Sequence, residues 1–283
     1  MKVFTTVASL RAQVQAWKQQ GLTIALVPTM GNLHAGHISL IKLAQQHCHK
    51  VLVSVFVNPL QFGPNEDFNA YPRTFETDQT ALLSAKTDGV FYPSLAEMYP
   101  QGQTQTQVQV PQTLTGLLEG RTRPGHFNGV TTVVNKLLNT VQPDVAIFGQ
   151  KDYQQFAVIT QMVVDLALPV KLIRAPIERD IDGLALSSRN QYLNATQRAI
   201  APKLHTILLD IKQALQSGNR DFNALQTIAQ HHLLQFGFDQ VDYIQIVDPQ
   251  TLLSAQPTDN KFAIVGAAKL GSTRLLDNVL LSL

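Results

Sequence analysis

The chain contains a single cysteine, Cys48, so no internal disulfide can brace it and burial has to supply its stability. That cysteine lies between His47 and His49 at the end of a predicted helix, with nothing beside it to tune a thiolate, and reads as structural or exposed. Long apolar runs are also missing. No stretch reaches the roughly 18 uninterrupted apolar residues of a membrane-spanning helix, and the opening M-K-V-F-T-T-V-A-S-L-R lacks the apolar core of a signal peptide. The expectation is a cytoplasmic protein with no membrane partner. Charge of one sign is scarce too. Against 20 acidic residues stand 22 basic ones, a formal net charge of +2 with no basic stripe to grip a phosphate backbone, which argues against a nucleic-acid partner. Two common nucleotide signatures, G-x-G-x-x-G and G-x-x-x-x-G-K-[ST], do not occur.

What is present is enough apolar material for one large domain and one smaller: 283 residues, 45% hydrophobic and 15% charged. Apolar β-rich runs at residues 23–28, 51–57, 89–92, 144–148 and 170–175 alternate with helical periodicity at 36–48, 75–86, 130–141 and 153–166. Such alternation predicts a parallel sheet with crossover helices, and the unbroken apolarity of V-L-V-S-V-F-V predicts helices on both faces. Residues 1–180 are therefore expected to form a doubly wound, Rossmann-like α/β domain that binds ligands beyond the carboxyl ends of its strands. From 181 to 283 the rhythm changes. Helices at 196–216 and 222–236 precede the strand-like V-D-Y-I-Q-I-V, K-F-A-I-V-G-A-A-K-L and T-R-L-L-D-N-V, which together predict a smaller α+β domain. Residues 101–110, Q-G-Q-T-Q-T-Q-V-Q-V, read as an edge strand or loop.

Chemistry concentrates in three segments. The first, P-T-M-G-N-L-H-A-G-H at residues 28–37, runs from a strand end through a turn into a helix whose first turn holds His37. Unpaired N–H groups and partial positive charge at a helix start favour phosphate, Gly31 and Gly36 permit close approach, and His34 and His37 add imidazole donors. The H-x-x-H spacing also has a metal reading. A catalytic zinc, however, needs a third ligand and usually a carboxylate base, and no accompanying Cys or Glu cluster is visible. The second segment, F-G-Q-K-D-Y-Q-Q at 148–155, is another strand end leading into a helix, with Lys151 a compact cation at the same edge. Alone, a lysine of this kind is more often a surface residue. The third, D-G-L-A-L-S-S-R-N at 182–190, lies at the junction of the two expected domains. Its hydroxyls and guanidinium suit phosphate oxygens and Gly183 lets the loop move, although in isolation it reads equally as a solvated linker.

In order, spacing and wording, H-x-G-H after the first predicted strand, G-x-K-D-x-Q-Q and the late L-S-S-R-N resemble the pantothenate synthetase family. The likeness runs essentially end to end, through F-V-N-P-L-Q-F at 56–62, Y-P-R-T at 71–74, R-P-G-H-F at 123–127 and V-Q-P-D at 141–144. H-x-G-H alone marks only a wider nucleotidyltransferase superfamily; the combination is far more specific. A rival within that superfamily, an adenylyltransferase acting on a phosphorylated acceptor, would call for more cations beside the paired glutamines.

The resemblance implies condensation of pantoate with β-alanine at the expense of ATP, giving pantothenate, AMP and pyrophosphate through an enzyme-bound pantoyl adenylate. It implies Mg²⁺ carried by the nucleotide, no metal held by the protein, and a homodimer formed through the larger domain. By the same resemblance Met30, Gly31, Asn32, Leu33, His34, Ala35, Gly36 and His37 line the ATP site. Gly149, Gln150, Lys151 and Asp152, with Leu186, Ser187, Ser188 and Arg189, complete it, and His34, His37, Lys151 and Arg189 carry the catalysis. Gln61 and Gln155 hold pantoate, Gln61 also bordering the β-alanine pocket, with Arg123 and His126 nearby. Glu178 stands where the family commonly has an uncharged residue whose backbone meets the adenine, a contact that any side chain permits. The loop at 182–190 and the loop after Asn58 are the candidate lids.

Overall fold

A strand that is apolar at every position has no solvent face and is stable only between two layers of helices. The computed structural model, which describes residues 1–64, 66–102 and 106–283, meets that requirement. Its first unit, Met1–Gly149 with Gln155–Pro176, begins with β1 (Lys2–Phe4), α1 (Val7–Gln19), β2 (Ile24–Thr29), α2 (Ala35–His47), β3 (Lys50–Val55), α3 (Phe75–Ser84) and β4 (Gly89–Phe91). Short helices α4 (Leu95–Met98), α5 (Gln112–Thr115) and α6 (Leu118–Thr122) lead into α7 (His126–Val141), β5 (Val145–Gly149), most of α8 (Tyr153–Asp165) and β6 (Lys171–Ala175). The six strands are all parallel, in the order β1-β4-β3-β2-β5-β6.

Successive residues of one strand serve opposite faces. Ile24 and Leu26 join Leu10 and Trp17 of α1 and Val133 and Leu137 of α7, whereas Ala25 and Val27 join Leu40, Ile41 and Ala44 of α2. Each fully buried side chain of this size contributes about 1.5–3 kcal/mol, so both helical layers are held by the strands between them. The expected doubly wound α/β fold is thus observed. Strand order reverses at β2: the chain works outward through β3 and β4, then returns to lay β5 on the other side of β2. Loops leaving adjacent strands at such a switch diverge and open a crevice, and Met30 and Gly149 stand at those two carboxyl ends.

The second unit, Gln150–Gln154 with Ile177–Leu283, contains α9 (Ala195–Ile200), α10 (Lys203–Gln216), α11 (Phe222–Gln235), β7 (Gln240–Val247), β8 (Lys261–Leu270) and β9 (Thr273–Ser282). Its three strands are antiparallel, in the order β7-β8-β9. Leu204, Ile207, Leu208, Ile211 and Leu215 recur at helical spacing on α10 and pack against Ile244, Ile264 and Leu275 of the sheet. The sequence predicts one helix over 196–216, but two are present. Pro202 has no N–H to offer and its ring crowds the preceding turn, so the first helix stops at Ile200. In the polar segment at 101–110, residues 103–105 lie outside the described residues, and the described remainder is turn and irregular loop rather than strand.

Candidate active site

The end of β2 turns sharply before α2 begins. Gly31 takes φ +82° and Asn32 follows at φ +50°, and a Cβ on Gly31 would lie 2.9 Å from Asp78 Oδ2 and 3.0 Å from Val55 Cγ1. Only glycine fits there. Asp78, in the first turn of α3 and 1% exposed, accepts hydrogen bonds from Asn32 N–H (3.0 Å) and Leu33 N–H (2.7 Å), fastening the turn to a second helix.

His34 caps α2. Its Nδ1 accepts from Gly36 N–H at 3.1 Å, while His37 Nδ1 accepts from His34 N–H at 3.3 Å, and the two ring centroids lie 4.1 Å apart. A ring nitrogen accepts only without its proton, so in this reciprocal cap each neutral imidazole carries its proton on Nε2. The cap takes the Gly36 and His37 N–H groups for itself, so what the helix start brings to an anion is its dipole together with two imidazole rings.

Gln61 ends the short turn Pro59–Gln61. Asn58 Nδ2 donates to Gln61 Oε1 at 3.1 Å, and Gln61 Nε2 donates to Met30 Sδ at 3.1 Å, which decides the orientation of the Gln61 amide. Asn58 is itself held: its Oδ1 accepts from Tyr99 OH (2.7 Å) and its Nδ2 donates to Gly129 O (3.0 Å). Burial pushes the Tyr99 phenol upward, keeping it a donor. Gly129 is required for a different reason from Gly31, since a Cβ there would meet Leu60 O at 2.1 Å, so α7 passes directly beneath the turn.

Arg123 is occupied by protein partners. Its Nε and Nη2 donate to Glu66 at 2.6 and 2.7 Å, its Nη1 meets His126 Nε2 at 3.0 Å, and Nη2 reaches Gln61 O at 3.4 Å. His126 Nδ1 lies 2.7 Å from the same Gln61 carbonyl, so the neutral ring donates from Nδ1 and accepts at Nε2. Burial, then the Arg123 charge, push His126 down to about 4. For Glu66 burial acts upward, but the Arg123 hydrogen bonds and charge outweigh it and hold the carboxyl below its ordinary range. Arg123 and His126 therefore grip the backbone of Gln61, while Asn58 orients its side chain. Gln155 lies half-buried near the start of α8.

In the second unit, Glu178 and Leu186 pair across a small hairpin. Leu186 N–H donates to Glu178 O at 2.9 Å, Arg179 bridges Ala185, and the Glu178 side chain is exposed. Arg179 clamps Asp277 of β9 at 2.6 and 2.8 Å and donates to Gly183 O at 3.0 Å, tying the hairpin to the sheet. His205 Nδ1 stands 3.5 Å from Asp277 Oδ2, long for a hydrogen bond. Burial opposes ionisation of Asp277, but His205 and the paired Arg179 outweigh it and hold the carboxyl below its usual range. Ser187 Oγ accepts from Arg189 N–H at 3.3 Å at the start of the turn Ser188–Tyr192. Lys151 and Ser187 line one cavity, with Asn190, His205 and Asp277, and exposed Asp152 lies 4.0 Å from Lys151 Nζ. The sequence-derived residues thus gather as two sets: Met30, Gly31, Asn32, Leu33, His34, His37 and Gln61 in one unit, and Gln150, Lys151, Asp152, Glu178 and Leu186 to Arg189 in the other.

Comparison with known proteins agrees with the motifs. The profile of the family described as Pantoate-beta-alanine ligase matches residues 2–280. The chain belongs to the pantoate-beta-alanine ligase family. A curated pantothenate synthetase from Hydrogenovibrio crunogenus is 60% identical over 283 residues, covering 100% of both chains. Another, from Alcanivorax borkumensis, is 50% identical, covering 100% of this chain and 98% of that one. A crystal structure of the Thermus thermophilus pantothenate synthetase superposes with a TM-score of 0.92 at 42% identity, covering 99% of each chain. The Francisella tularensis ligase, solved as a complex with beta-gamma ATP and beta-alanine, gives 0.83 at 36% identity over 99% of this chain and 97% of its own. In the candidate site, Asp78, Asn58 as an orienting residue, and Tyr99 hold the turns, and motif reading passes over them. Asp78 and Tyr99 act on turns 45 and 41 positions away in the chain, and no local pattern marks either.

Proposed function

We infer that the protein condenses pantoate with β-alanine, converting ATP to AMP and pyrophosphate through a pantoyl adenylate. The observation that carries this reading is family membership across residues 2–280. The pantoate carboxylate attacks the α-phosphorus of ATP and the bond to pyrophosphate breaks. The amine of β-alanine then attacks the acyl carbon, a proton leaves the nitrogen, and AMP departs with the electron pair of the mixed anhydride.

Residue roles follow from charge. Negative charge grows on the phosphorus oxygens in the first step, and the donors aimed at it stabilise the transition state. His34 and His37 are proposed to meet the phosphates through Nε2–H at the start of α2, and Lys151, Arg189, Ser187 and Ser188 to supply the remaining donors. Gln61 and Gln155 are proposed to orient pantoate. Neutral amides suit that task, since they align hydroxyls without placing a cation that would blunt the carboxylate nucleophile. The Gln61 geometry supports this role, because Asn58 holds its oxygen and leaves the amide nitrogen directed toward Met30.

Mg²⁺ is proposed to arrive with ATP. Among the described residues no three His, Cys, Asp or Glu side chains gather into a cage, and Mg²⁺ is commonly held by substrate phosphates with few protein ligands. When bound it would neutralise phosphate charge. A homodimer built on the larger unit and a cytoplasmic site of action, where ATP is supplied, complete the proposal. Size-exclusion near twice the 31.2 kDa chain mass supports the dimer, and elution at the chain mass contradicts it. The activity itself is tested by incubating the protein with ATP, Mg²⁺, pantoate and β-alanine. Equal yields of AMP, pyrophosphate and pantothenate support it; AMP transfer to a phosphorylated acceptor instead would move the protein to another reaction of the superfamily.

A further inference from the structure

Side chains on β9 alternate between the α10-facing core and the opposite face. Leu275, Val279 and Leu281 join the core cluster of the second unit, while on the other face Arg274, Leu276 and Leu280 are only partly buried and Ser282 is exposed. Asn278 belongs to that second face yet is 2% exposed, because residues 150 and 151 cover it. Its Nδ2 donates to Gln150 O at 2.9 Å and to Lys151 O at 3.0 Å, and its Oδ1 accepts from Gln150 Nε2 at 3.1 Å. One amide therefore uses both hydrogens and its oxygen on two consecutive residues.

We propose that Asn278 is a positioning residue for Lys151, setting the direction in which the ammonium is presented. The carbonyls of Gln150 and Lys151 flank the φ and ψ of Lys151, so fixing both carbonyls fixes both angles and with them the Cα–Cβ bond. In an extended strand those carbonyls would point to opposite sides. Their convergence on one NH₂ is a turn that Asn278 selects. Asn278 is buried against that turn and is held in its own place by the β8–β9 ladder, where it lies opposite Val265. Aspartate has the same size but, ionised, only accepts, and alanine likewise leaves both carbonyls unpaired. The β9 strand thus acts on Lys151 through the backbone on either side of it.

This inference rests on the proposed role of Lys151 at the phosphates, and the test separates the two. Pantoate-dependent exchange of labelled pyrophosphate into ATP is measured for wild type, Asn278→Ala, Asn278→Asp and Val279→Ala, with melting temperatures for each. Absence of exchange in wild type would remove the functional reading itself. Given wild-type exchange, misplacement of Lys151 by a fraction of an ångström to an ångström is expected to lower kcat about tenfold to a hundredfold in both Asn278 variants, with the KM for pantoate unmoved. Val279→Ala, a core cavity on the same strand, is expected to lower the melting temperature while leaving kcat within about twofold. Full rescue by the same-sized Asn278→Asp, wild-type kcat in Asn278→Ala, or an equal kcat loss in Val279→Ala would each overturn the positioning role in favour of mere packing. Should Asn278→Ala not fold, the same-sized Asn278→Asp carries the test alone: a lowered kcat there supports the proposal and wild-type kcat contradicts it.

Discussion

Two histidines can cap a helix only while each ring offers an unprotonated Nδ1, and that requirement makes capping and chemistry separable at His34. Asparagine caps helices well, so His34→Asn is expected to change stability by less than about 1 kcal/mol. Loss of its Nε2–H donor should nevertheless reduce adenylate formation about a hundredfold, the scale of removing one transition-state donor. Equal activity would remove His34 from the phosphates. His37→Ala and Lys151→Ala should abolish measurable exchange with circular dichroism unchanged, whereas Gln155→Ala should chiefly raise the KM for pantoate. At this scale the candidate residues that sit in a local motif of their own are legible in the sequence: H-x-G-H, the lysine after G-Q and the L-S-S-R loop. Asp78, Tyr99 and Asn278 are not, because what each one does depends on a turn 40 or more positions away.

Among the elements, α3 and α7 hold the turns of the candidate site in place, and both can be tested through a single buried group. Asp78→Ala leaves the N–H groups of Asn32 and Leu33 without their charged acceptor, which is expected to cost about 1.5–3 kcal/mol for a bond to a charged group. Urea unfolding measures it, and an unchanged midpoint would mean that the turn is held by other means. The first turn of α7 carries a pH dependence through His126, neutral in the folded protein down to about 4 against an ordinary value of 6.5. Its folded value is depressed, so the unfolded chain binds the extra proton first. Stability is full above about pH 6.5 and falls toward pH 4, by the order of 3 kcal/mol from this group. His126→Asn keeps a donor toward Gln61 O but cannot titrate, and should flatten the stability profile across that window; an unaltered slope would assign it elsewhere. The strand and helix pattern is legible because periodicity is local. The Pro202 break is hidden because the apolar spacing of α9 and α10 continues in register across it, and β1 is too short to show any period.

The whole molecule divides so that residues 150–154, although they continue directly from β5 and open α8, belong with the second unit. Asn278 bonds to the carbonyls of Gln150 and Lys151, and Tyr153 OH donates to Pro249 O at 2.9 Å, which accounts for that assignment. A sequence that passes smoothly from strand to helix gives no sign of it. Asp277 adds an acid sensitivity to the same unit. Its folded value is depressed below 3.8, so its stabilisation is present above that value and is lost as pH falls through the lower, folded one. Asp277→Asn should weaken the second unit at neutral pH and reduce its further loss below about pH 4, as followed by acid titration of the folded fraction.

Adenylate formation is the claim on which the residue roles depend, and exchange of labelled pyrophosphate into ATP, with Mg²⁺ and pantoate present and β-alanine absent, tests it most directly. Exchange that requires pantoate is the expected result, since the first step is reversible and needs no amine. Absence of exchange with pantoate in a folded, ATP-binding protein would contradict it.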